Sequence, residues 1–218
     1  MSKILIAVPT FETIYPDTYK SIWDVDRADH EVYFDFVRGY DCATARNNII
    51  MKGQNYGVDY ILMVDNDVTI PKDTITNFLE LGEDTPYVQL GFYAHRDSDN
   101  IYRGNTCICR YLDDNGEPYF NYPLESEYTE DEMREFREQG MYKMQIHGGG
   151  MGCAFIKMDL IDQLRYPWYD WVNYNDDHRG MLSEDLYFCE QCKQAGVPIF
   201  TDTRIGCGHL LRHIQEVM

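Results

Sequence analysis

The sequence predicts an α/β fold in which helices flank an open β-sheet. Short apolar segments alternate with helical ones through residues 1–94, which is the pattern of βαβ units. Residues 61–64 are four consecutive apolar side chains, as expected for a strand that is buried on both faces. Asp65 and Asp67 follow directly, at the carboxyl end of that strand, where open α/β sheets place their ligands.

Polar residues and glycines mark the ends of the other predicted elements. Asp41, Thr129 and Ser183 stand at expected N-cap positions, because their side-chain oxygens can accept the first free N–H groups of a helix. Gly57 is the expected stop of the first of these helices. The predicted strands cover residues 4–8, 31–37, 61–64, 87–94, 153–156 and 199–202, and the predicted helices cover residues 42–56, 71–81, 129–140 and 184–195.

Length and composition fit a single domain over residues 1–218. With 44% apolar residues, a chain of this length can bury a full core. The sequence has no repeat, low-complexity tract or linker that would divide it. The regular alternation ends at residue 94, and the second half, residues 95–218, opens with an irregular, tyrosine-rich and acidic insert over about residues 95–145.

The charge balance disfavours whole classes of partner. The net charge is −18, from 37 acidic and 19 basic residues, which argues against binding to nucleic acid or to an anionic membrane surface. No segment has the roughly 20 apolar residues of a membrane span, and the N-terminal apolar run is too short for a signal peptide. Seven cysteines form an odd set, which fits reduced thiols in a cytoplasmic protein.

The two carboxylates after the buried strand suggest a cation site. Asp65 and Asp67 would share an orientation if the chain stays extended, and hard oxygen ligands suit Mg²⁺ or Mn²⁺ that also carries substrate phosphates. Asp67 could ligate the metal directly, while Asp65 assists through water or bonds a ribose and Asn66 adds a polar contact. The alternative is an acidic turn that caps the next helix.

A second acidic pair opens the last predicted helix. Asp185, Cys189 and Cys192 have i, i+4, i+7 spacing and lie on one inward-facing stripe. A carboxylate at the inner end of that stripe points toward the sheet edge, which makes Asp185 a candidate general base. The alternative is that Glu184 and Asp185 only complement the positive end of the helix dipole.

Three further features could complete a site. Residues 148–152 contain four glycines, which allow close backbone approach to a ligand, although a loop or β-bulge is the alternative. His209 lies beside Gly208, which suggests a defined backbone position. Arg46, near the start of a helix, could neutralise a phosphate or simply lie on a solvated face.

The cysteines offer a competing interpretation. Cys189, Cys192 and Cys207 together with His209 form a set that could hold structural zinc. The first two lie inside a predicted helix rather than on a knuckle turn, which favours buried apolar thiols instead.

From Pro9-Thr10 near the N-terminus to His209, the motifs and their order along the chain resemble those of the GT-A glycosyltransferases, especially the family 2-like enzymes. The resemblance spans residues 4–209 and is weakest over the insert. It implies one GT-A domain with a Rossmann-like mixed β-sheet flanked by helices, whose first half binds nucleotide and whose second half is catalytic and binds acceptor. The matching motifs are Pro9-Thr10, Ala45-Arg46-Asn47, Asp65-Asn66-Asp67, the glycines before residue 153, Ser183-Glu184-Asp185 and His209.

The resemblance also implies an activity: transfer of a sugar from a UDP- or GDP-linked donor to the hydroxyl of a saccharide or another acceptor, with Mn²⁺ or Mg²⁺. Asp185 would be the base of an inverting reaction. The tyrosine-rich insert would form part of the acceptor wall, through Tyr93, Tyr102, Tyr111, Tyr119 and Tyr122. The other implied roles are donor binding by Pro9, Thr10, Glu12, Arg46, Asp65 and Asn66, metal binding by Asp67 and His209 with Asp65, and substrate contacts by Gly149, Gly150 and Glu184.

Several alternatives stay open at this point. Residues 36–41 lack the usual Asp-Asp/Ser signature, and some relatives retain configuration, which would change the role of Asp185. The absence of helical and membrane extensions argues against a processive polysaccharide synthase. A nucleotidyltransferase would need a glycine-rich basic loop after the first strand, and a non-catalytic sugar-binding module would need no metal. The sugar, the nucleotide base, the acceptor and the oligomeric state are open.

Overall fold

The structure is a computed structural model that describes residues 1–11, 13–39, 41–82, 86–96, 102–109, 127–173 and 181–210. The strands are β1 (Lys3–Thr10), β2 (Glu31–Arg38), β3 (Tyr60–Val64), β4 (Val68–Thr69), β5 (Val88–Phe92), β6 (Ala94–Arg96), β7 (Tyr102–Cys109), β8 (Glu127–Thr129), β9 (Lys143–Ile146), β10 (Gly148–Gly149), β11 (Cys153–Lys157), β12 (Val172–Asn173), β13 (Met181–Leu182), β14 (Ile199–Gly206) and β15 (Gly208–His209). The helices are α1 (Pro16–Asp24), α2 (Cys42–Tyr56), α3 (Thr74–Leu79), α4 (Glu130–Glu138), α5 (Glu184–Gln194) and a 3₁₀ helix, Met158–Gln163.

The described residues form a central mixed sheet of seven strands in the order β2-β1-β3-β11-β5-β14-β9. Strands β2, β1 and β3 are parallel, as the βαβ pattern predicts. Strand β11 then inserts antiparallel between β3 and β5, and β9 is antiparallel at the far edge. The predicted fold class, a Rossmann-like mixed sheet flanked by helices, is confirmed.

Apolar layers cover both faces of this sheet. Strand β3 is buried at every position, as its continuous apolar sequence predicts. Alternate residues of β1 and β3 pack on one face against α2 and α5, and the residues between them pack on the other face against α1 and α3. Because the central strands are buried on both sides, polar groups are displaced to their ends, where the site lies.

The predicted helix caps are confirmed in the structure. The Asp41 side chain accepts the N–H of Thr44, and Gly57 ends α2 with a left-handed φ of 60°. Thr129 forms a reciprocal capping box with Glu132 at the start of α4. Ser183 accepts the N–H of Leu186 at the start of α5.

Three predicted elements depart most from the boundaries that the structure gives. Helix α3 begins at Thr74 rather than Pro71, because the Pro71 carbonyl accepts both the N–H and the hydroxyl of Thr74 in a tight turn. The strand predicted over residues 87–94 is interrupted at Tyr93, and its last part joins a different sheet as β6. Strand β14 extends to Gly206, four residues beyond the predicted end at residue 202. No helix in the described parts of the chain is long and apolar enough to cross a membrane.

The cap of α2 gives a direct test of this local analysis. Replacement of Asp41 by alanine removes the bonds that its carboxylate accepts from the Thr44 N–H and hydroxyl. We expect the free energy of unfolding to fall by about 1 kcal/mol in urea denaturation. The matched control is Asp73→Ala, since Asp73 stands at the N-cap of α3 without a side-chain cap bond. Equal losses in the two variants would contradict the assigned role of the Asp41 cap.

Candidate active site

The residues predicted at the carboxyl edge of the sheet adopt a turn. The Val68 N–H donates to the Asp65 carbonyl over 3.1 Å, so residues 65–68 reverse direction instead of continuing the strand. The expectation that Asp65 and Asp67 share an orientation is therefore wrong. The Asp65 side chain turns inward to Arg46, whereas the Asp67 side chain faces His209.

Asp67 and His209 are brought together by a small two-stranded sheet. Strand β15 pairs antiparallel with β4 and places His209 opposite Val68, next to Asp67. The Leu210 N–H also donates to the Asp67 carbonyl over 2.7 Å. The result is a distance of 3.6 Å between His209 Nε2 and Asp67 Oδ2, and this hydrogen-bonding carboxylate raises the pKa of the imidazole.

The orientation of His209 suits a metal ligand. Its Nδ1 lies 3.1 Å from the Ala94 carbonyl, and in the neutral tautomer that donates this bond, the unprotonated Nε2 faces Asp67 and can ligate a metal. This carbonyl–histidine arrangement is how proteins commonly fix the tautomer of a ligating histidine. An oxygen and a nitrogen donor at this spacing fit a divalent cation that takes its other ligands from phosphate and water. No group of three or more His, Cys, Asp or Glu side chains is placed to hold a metal in the described residues.

Arg46 is the centre of a buried ionic cluster, the Arg46 cluster, formed with Asp65, Glu184 and Asp185. Its side chain is 2% exposed, and its Nη2 lies 3.2 Å from Asp65 Oδ1 and 3.3 Å from Asp185 Oδ1. Its Nε lies 3.7 Å from Glu184 Oε1. The predicted contact of Arg46 with a nucleotide stays a prediction, since the guanidinium here is enclosed by three carboxylates.

One cation among three carboxylates leaves excess negative charge in a buried place. Burial, followed by the charge of Asp185, raises the pKa of Glu184 to about 7. Burial likewise raises the pKa of Asp65, although the Arg46 charge opposes this effect. The cluster therefore favours retention of a proton near neutral pH, since the pKa of Glu184 is raised into that range.

The backbone of residues 150–152 connects the Arg46 cluster to the strand that carries Asp65. The Met151 carbonyl accepts from Arg46 Nη1 at 3.2 Å, and the Met151 N–H donates to Asp185 Oδ2 at 3.1 Å. The Gly152 carbonyl accepts the Asp65 N–H at 2.9 Å. These three bonds fix Asp65 and Asp185 relative to each other through one short segment.

Tyr93 occupies the space that the glycine cluster leaves open. A Cβ atom on Gly150 would collide with the Tyr93 hydroxyl, and one on Gly152 would lie 2.8 Å from Tyr93 Cε1. The Gly152 N–H donates to that hydroxyl over 3.3 Å, and the ring packs edge-on against His209 with centroids 5.2 Å apart. These glycines are thus required for close packing by a side chain, which the sequence pattern alone did not reveal.

Two cavities flank this assembly. The first, of about 210 Å³, brings together the predicted donor-binding residues Pro9, Thr10, Asp65 and Asn66. The second, of about 290 Å³, shares no lining residue with the first and includes Asp185 and Gly150. The remaining lining residues are Phe11, Gly39, Asp41, Cys42 and Ala45 in the first cavity, and Tyr93, Cys107, Cys109, Glu127, Ser183 and Leu186 in the second.

The other predicted site residues have mixed placements. The Asn66 side-chain amide donates a hydrogen bond to the Thr13 carbonyl and so holds the loop after β1 in place. Gly149 is paired with Ile108 in a sheet, and Glu184 is 5% exposed inside the cluster. Glu12 lies outside the described residues. So do Tyr111, Tyr119 and Tyr122 and the side chain of Tyr102.

The zinc alternative finds no support in the described residues. Cys189 and Cys192 are fully buried in the apolar core, as their inward stripe predicts, and the Cys189 thiol bonds the Gly149 carbonyl at 3.8 Å. His209 Nδ1 is occupied by the Ala94 carbonyl. No metal-holding group is formed by these side chains in the described parts of the chain.

The charge of the Arg46 cluster predicts a pH-dependent stability. The pKa of Glu184 is 4.5 without perturbation and about 7 in the fold. The protonated carboxyl therefore contributes stability that is fully present below about pH 4.5 and is lost as the pH rises through 7. Replacement by glutamine removes this loss. From pH 5 to 8, the unfolding free energy of Glu184→Gln should rise by roughly 1–3 kcal/mol relative to wild type.

Urea denaturation at several pH values measures this difference. The control is Glu190→Gln, since Glu190 lies on the same helix and accepts a bond from Gln194 at the surface. A pH-independent difference between Glu184→Gln and wild type would contradict the raised pKa.

Comparison with solved structures shows proteins of the same fold. By structure, the chain is similar to the A197 protein from STIV, with a TM-score of 0.57 and 14% identity, over 96% of this chain and 86% of that one. It is also similar to GalNAc-T7, crystallised with UDP, GalNAc and Mn²⁺, with a TM-score of 0.62 and 10% identity. All of this chain is covered in that comparison, but only 45% of GalNAc-T7.

At these identities the structural likenesses concern the fold alone. No curated protein matches the chain by sequence. A family model does: that of glycosyl transferase family 2 matches residues 29–165, which is more than half of the chain. The matched region runs from just before β2 to just beyond the 3₁₀ helix and so includes Arg46, Asp65, Asp67 and the glycine cluster. The protein is therefore a glycosyltransferase that belongs to glycosyl transferase family 2 and has the GT-A fold.

Proposed function

We propose that this glycosyltransferase depends on a divalent metal and moves a sugar from a nucleotide-diphosphate sugar to an acceptor hydroxyl with inversion. The observation that carries the proposal is the convergence of two functions at one sheet edge. Asp67 and His209 offer a metal-binding pair with 3.6 Å between their facing atoms. Asp185 is held by Arg46 and by the Met151 N–H.

The donor nucleotide is assigned to the cavity between the ends of β1 and β3. Pro9, Thr10, Asp65 and Asn66 line it, and Phe11 stands at its rim with 66% of its surface exposed, available to stack on a base. The GalNAc-T7 structure, with UDP and Mn²⁺, supports a nucleotide-sugar donor and a divalent ion for a protein of the same fold.

Asp67 and His209 would hold the metal, and the Ala94 carbonyl would keep the His209 ring in the ligating orientation. When bound, Mn²⁺ or Mg²⁺ supplies positive charge that stabilises the leaving diphosphate. Asp65 forms an ion pair with Arg46. Its predicted contacts with the metal and the nucleotide would therefore use the carboxylate lone pairs that Arg46 does not occupy.

Asp185 would accept the proton of the acceptor hydroxyl. Its side chain is 19% exposed and lines the second cavity, while Arg46 and the Met151 N–H fix its orientation. As the hydroxyl oxygen attacks the anomeric carbon, the bond from that carbon to the diphosphate oxygen breaks and the proton passes to Asp185. The leaving group is the nucleoside diphosphate, and the product has the inverted configuration.

Removal of the metal ligand Asp67 tests the first half of the proposal. In a thermal-shift assay, a UDP- or GDP-sugar with Mn²⁺ should raise the melting temperature of the wild-type protein by mass action. This rise should disappear in Asp67→Ala and, for wild type, in EDTA. Asp73→Ala is the charge-matched control, because Asp73 lies before α3 and outside the site. A full shift in Asp67→Ala would remove the central claim.

Removal of the base tests the second half. Asp185→Asn should keep the donor-induced shift but lower the transfer rate by about 10²–10⁴-fold, the usual contribution of a positioned base. Asp159→Asn, a surface change at an ion pair with Lys157, should leave transfer unchanged. NMR of the anomeric proton of the product reports configuration. Retained configuration, or transfer that survives in Asp185→Asn, would assign the chemistry to another group.

A further inference from the structure

Strand β2 is an open edge of the central sheet. It stands at one end of the strand order, and no other described strand pairs with its outer side. Its pairing with β1 is regular over all eight residues, from Glu31 to Arg38, without a bulge. Natural proteins usually protect such edges with bulges, prolines, short strands or charged side chains; β2 has none of the first three, and its charged residues are Glu31, Asp35 and Arg38.

The edge also carries exposed aromatic rings, here called the aromatic patch: Tyr19, Trp23, Phe34 and Phe36. Their exposed fractions are 43%, 65%, 40% and 40%. The four rings form a continuous series of contacts. Phe34 and Phe36 pack edge-on with ring centroids 4.6 Å apart, and Tyr19 contacts both Phe34 and Trp23. A continuous exposed apolar surface of this kind marks an interaction site.

From these features we propose that the aromatic patch and strand β2 form a homodimer interface, in which β2 pairs antiparallel with β2 of a second copy. A second copy is the partner that supplies both requirements at once, a strand for the free main-chain groups and a matching apolar surface. A two-fold axis normal to the sheet keeps the faces of the two copies aligned, so like faces oppose each other.

The sequence of β2 selects one register. With Phe34 on the axis, Phe34 faces the partner's Phe34 and Val32 faces the partner's Phe36, which makes a ladder of apolar side chains on the α1 side. On the other side, Tyr33 faces the partner's Asp35. Within each copy, the Lys52 ammonium pairs with the Asp35 carboxylate.

The two neighbouring registers are disfavoured by charge. A shift that puts Asp35 on the axis places it opposite the partner's Asp35. The opposite shift, with Tyr33 on the axis, places Glu31 opposite the partner's Asp35. Like charges directly across a sheet are destabilising, so the apolar register centred on Phe34 is the self-complementary one.

Sedimentation velocity of the full chain at micromolar concentrations tests the proposal. Wild type should sediment as a dimer, and more completely at higher salt, because screening weakens repulsion between two copies of net charge −18. Phe34→Lys should raise the dissociation constant at least about tenfold, since two new positive charges would meet on the axis. Tyr33→Lys is the matched control in the next position, where the new charge would face the partner's Asp35, and it should leave the dimer intact.

Circular dichroism and melting temperature verify that each variant is folded. If Phe34→Lys does not fold, Phe36→Lys, which faces the partner's Val32, should cause the same dissociation. A wild-type monomer at both salt concentrations would overturn the proposal, including the case in which the monomer binds an oligosaccharide on the aromatic patch. Persistence of the dimer in a folded Phe34→Lys, or equal dissociation of Tyr33→Lys, would overturn it as well.

Discussion

The buried guanidinium of Arg46 joins parts of the site that the chain supplies from distant positions. It contacts Asp65 after β3, Glu184 and Asp185 at the start of α5, and the carbonyl of Met151 before β11. A charged group with 2% exposure is stable only when partners compensate for its lost hydration, and here each partner is also a residue of the site or its support. Loss of this one cation would leave three carboxylates close together in a poorly solvated place, so both fold stability and site geometry depend on it.

Backbone atoms of residues 150–152 also hold the site residues in position, as the Arg46 side chain does. The carbonyls and N–H groups of this segment bond Asp65, Asp185, Arg46 and the Tyr93 hydroxyl. Because backbone groups are fixed by the adjoining sheet strand β11, they orient their partners with little loss of side-chain entropy. The glycines permit this arrangement by letting the Tyr93 ring lie against the chain.

Local sequence signals predicted much of this architecture, and they failed where distant contacts decide. The caps at Asp41, Thr129 and Ser183 and the buried strand β3 depend on neighbouring residues, so the sequence could reveal them. The neighbourhood of Asp67 and His209 followed from family resemblance. In contrast, the bond from Arg46 to Met151 spans 105 residues and depends on how α2 and β11 pack across the sheet. Two differences are local instead: hydrogen bonds between residues three apart set the late start of α3 and the turn at Asp65, which the sequence offers as the alternative to an extended segment. The interruption at Tyr93 goes with the pairing of β6 with β7 in a separate sheet.

The pairing of β4 with β15 has a thermodynamic consequence for the whole site. This ladder is only two residues long on each strand, and its strands approach closely, since a Cβ atom on Gly208 would lie 2.5 Å from the Thr69 hydroxyl. Small elements at the end of a chain segment open far more readily than a central sheet, without global unfolding. Opening of this ladder would separate His209 from Asp67 while the Arg46 cluster stays intact. A ligand that bridges the two side chains would bind only the closed ladder, so it would shift the molecule toward that state, and its apparent affinity would fall with the fraction of open molecules.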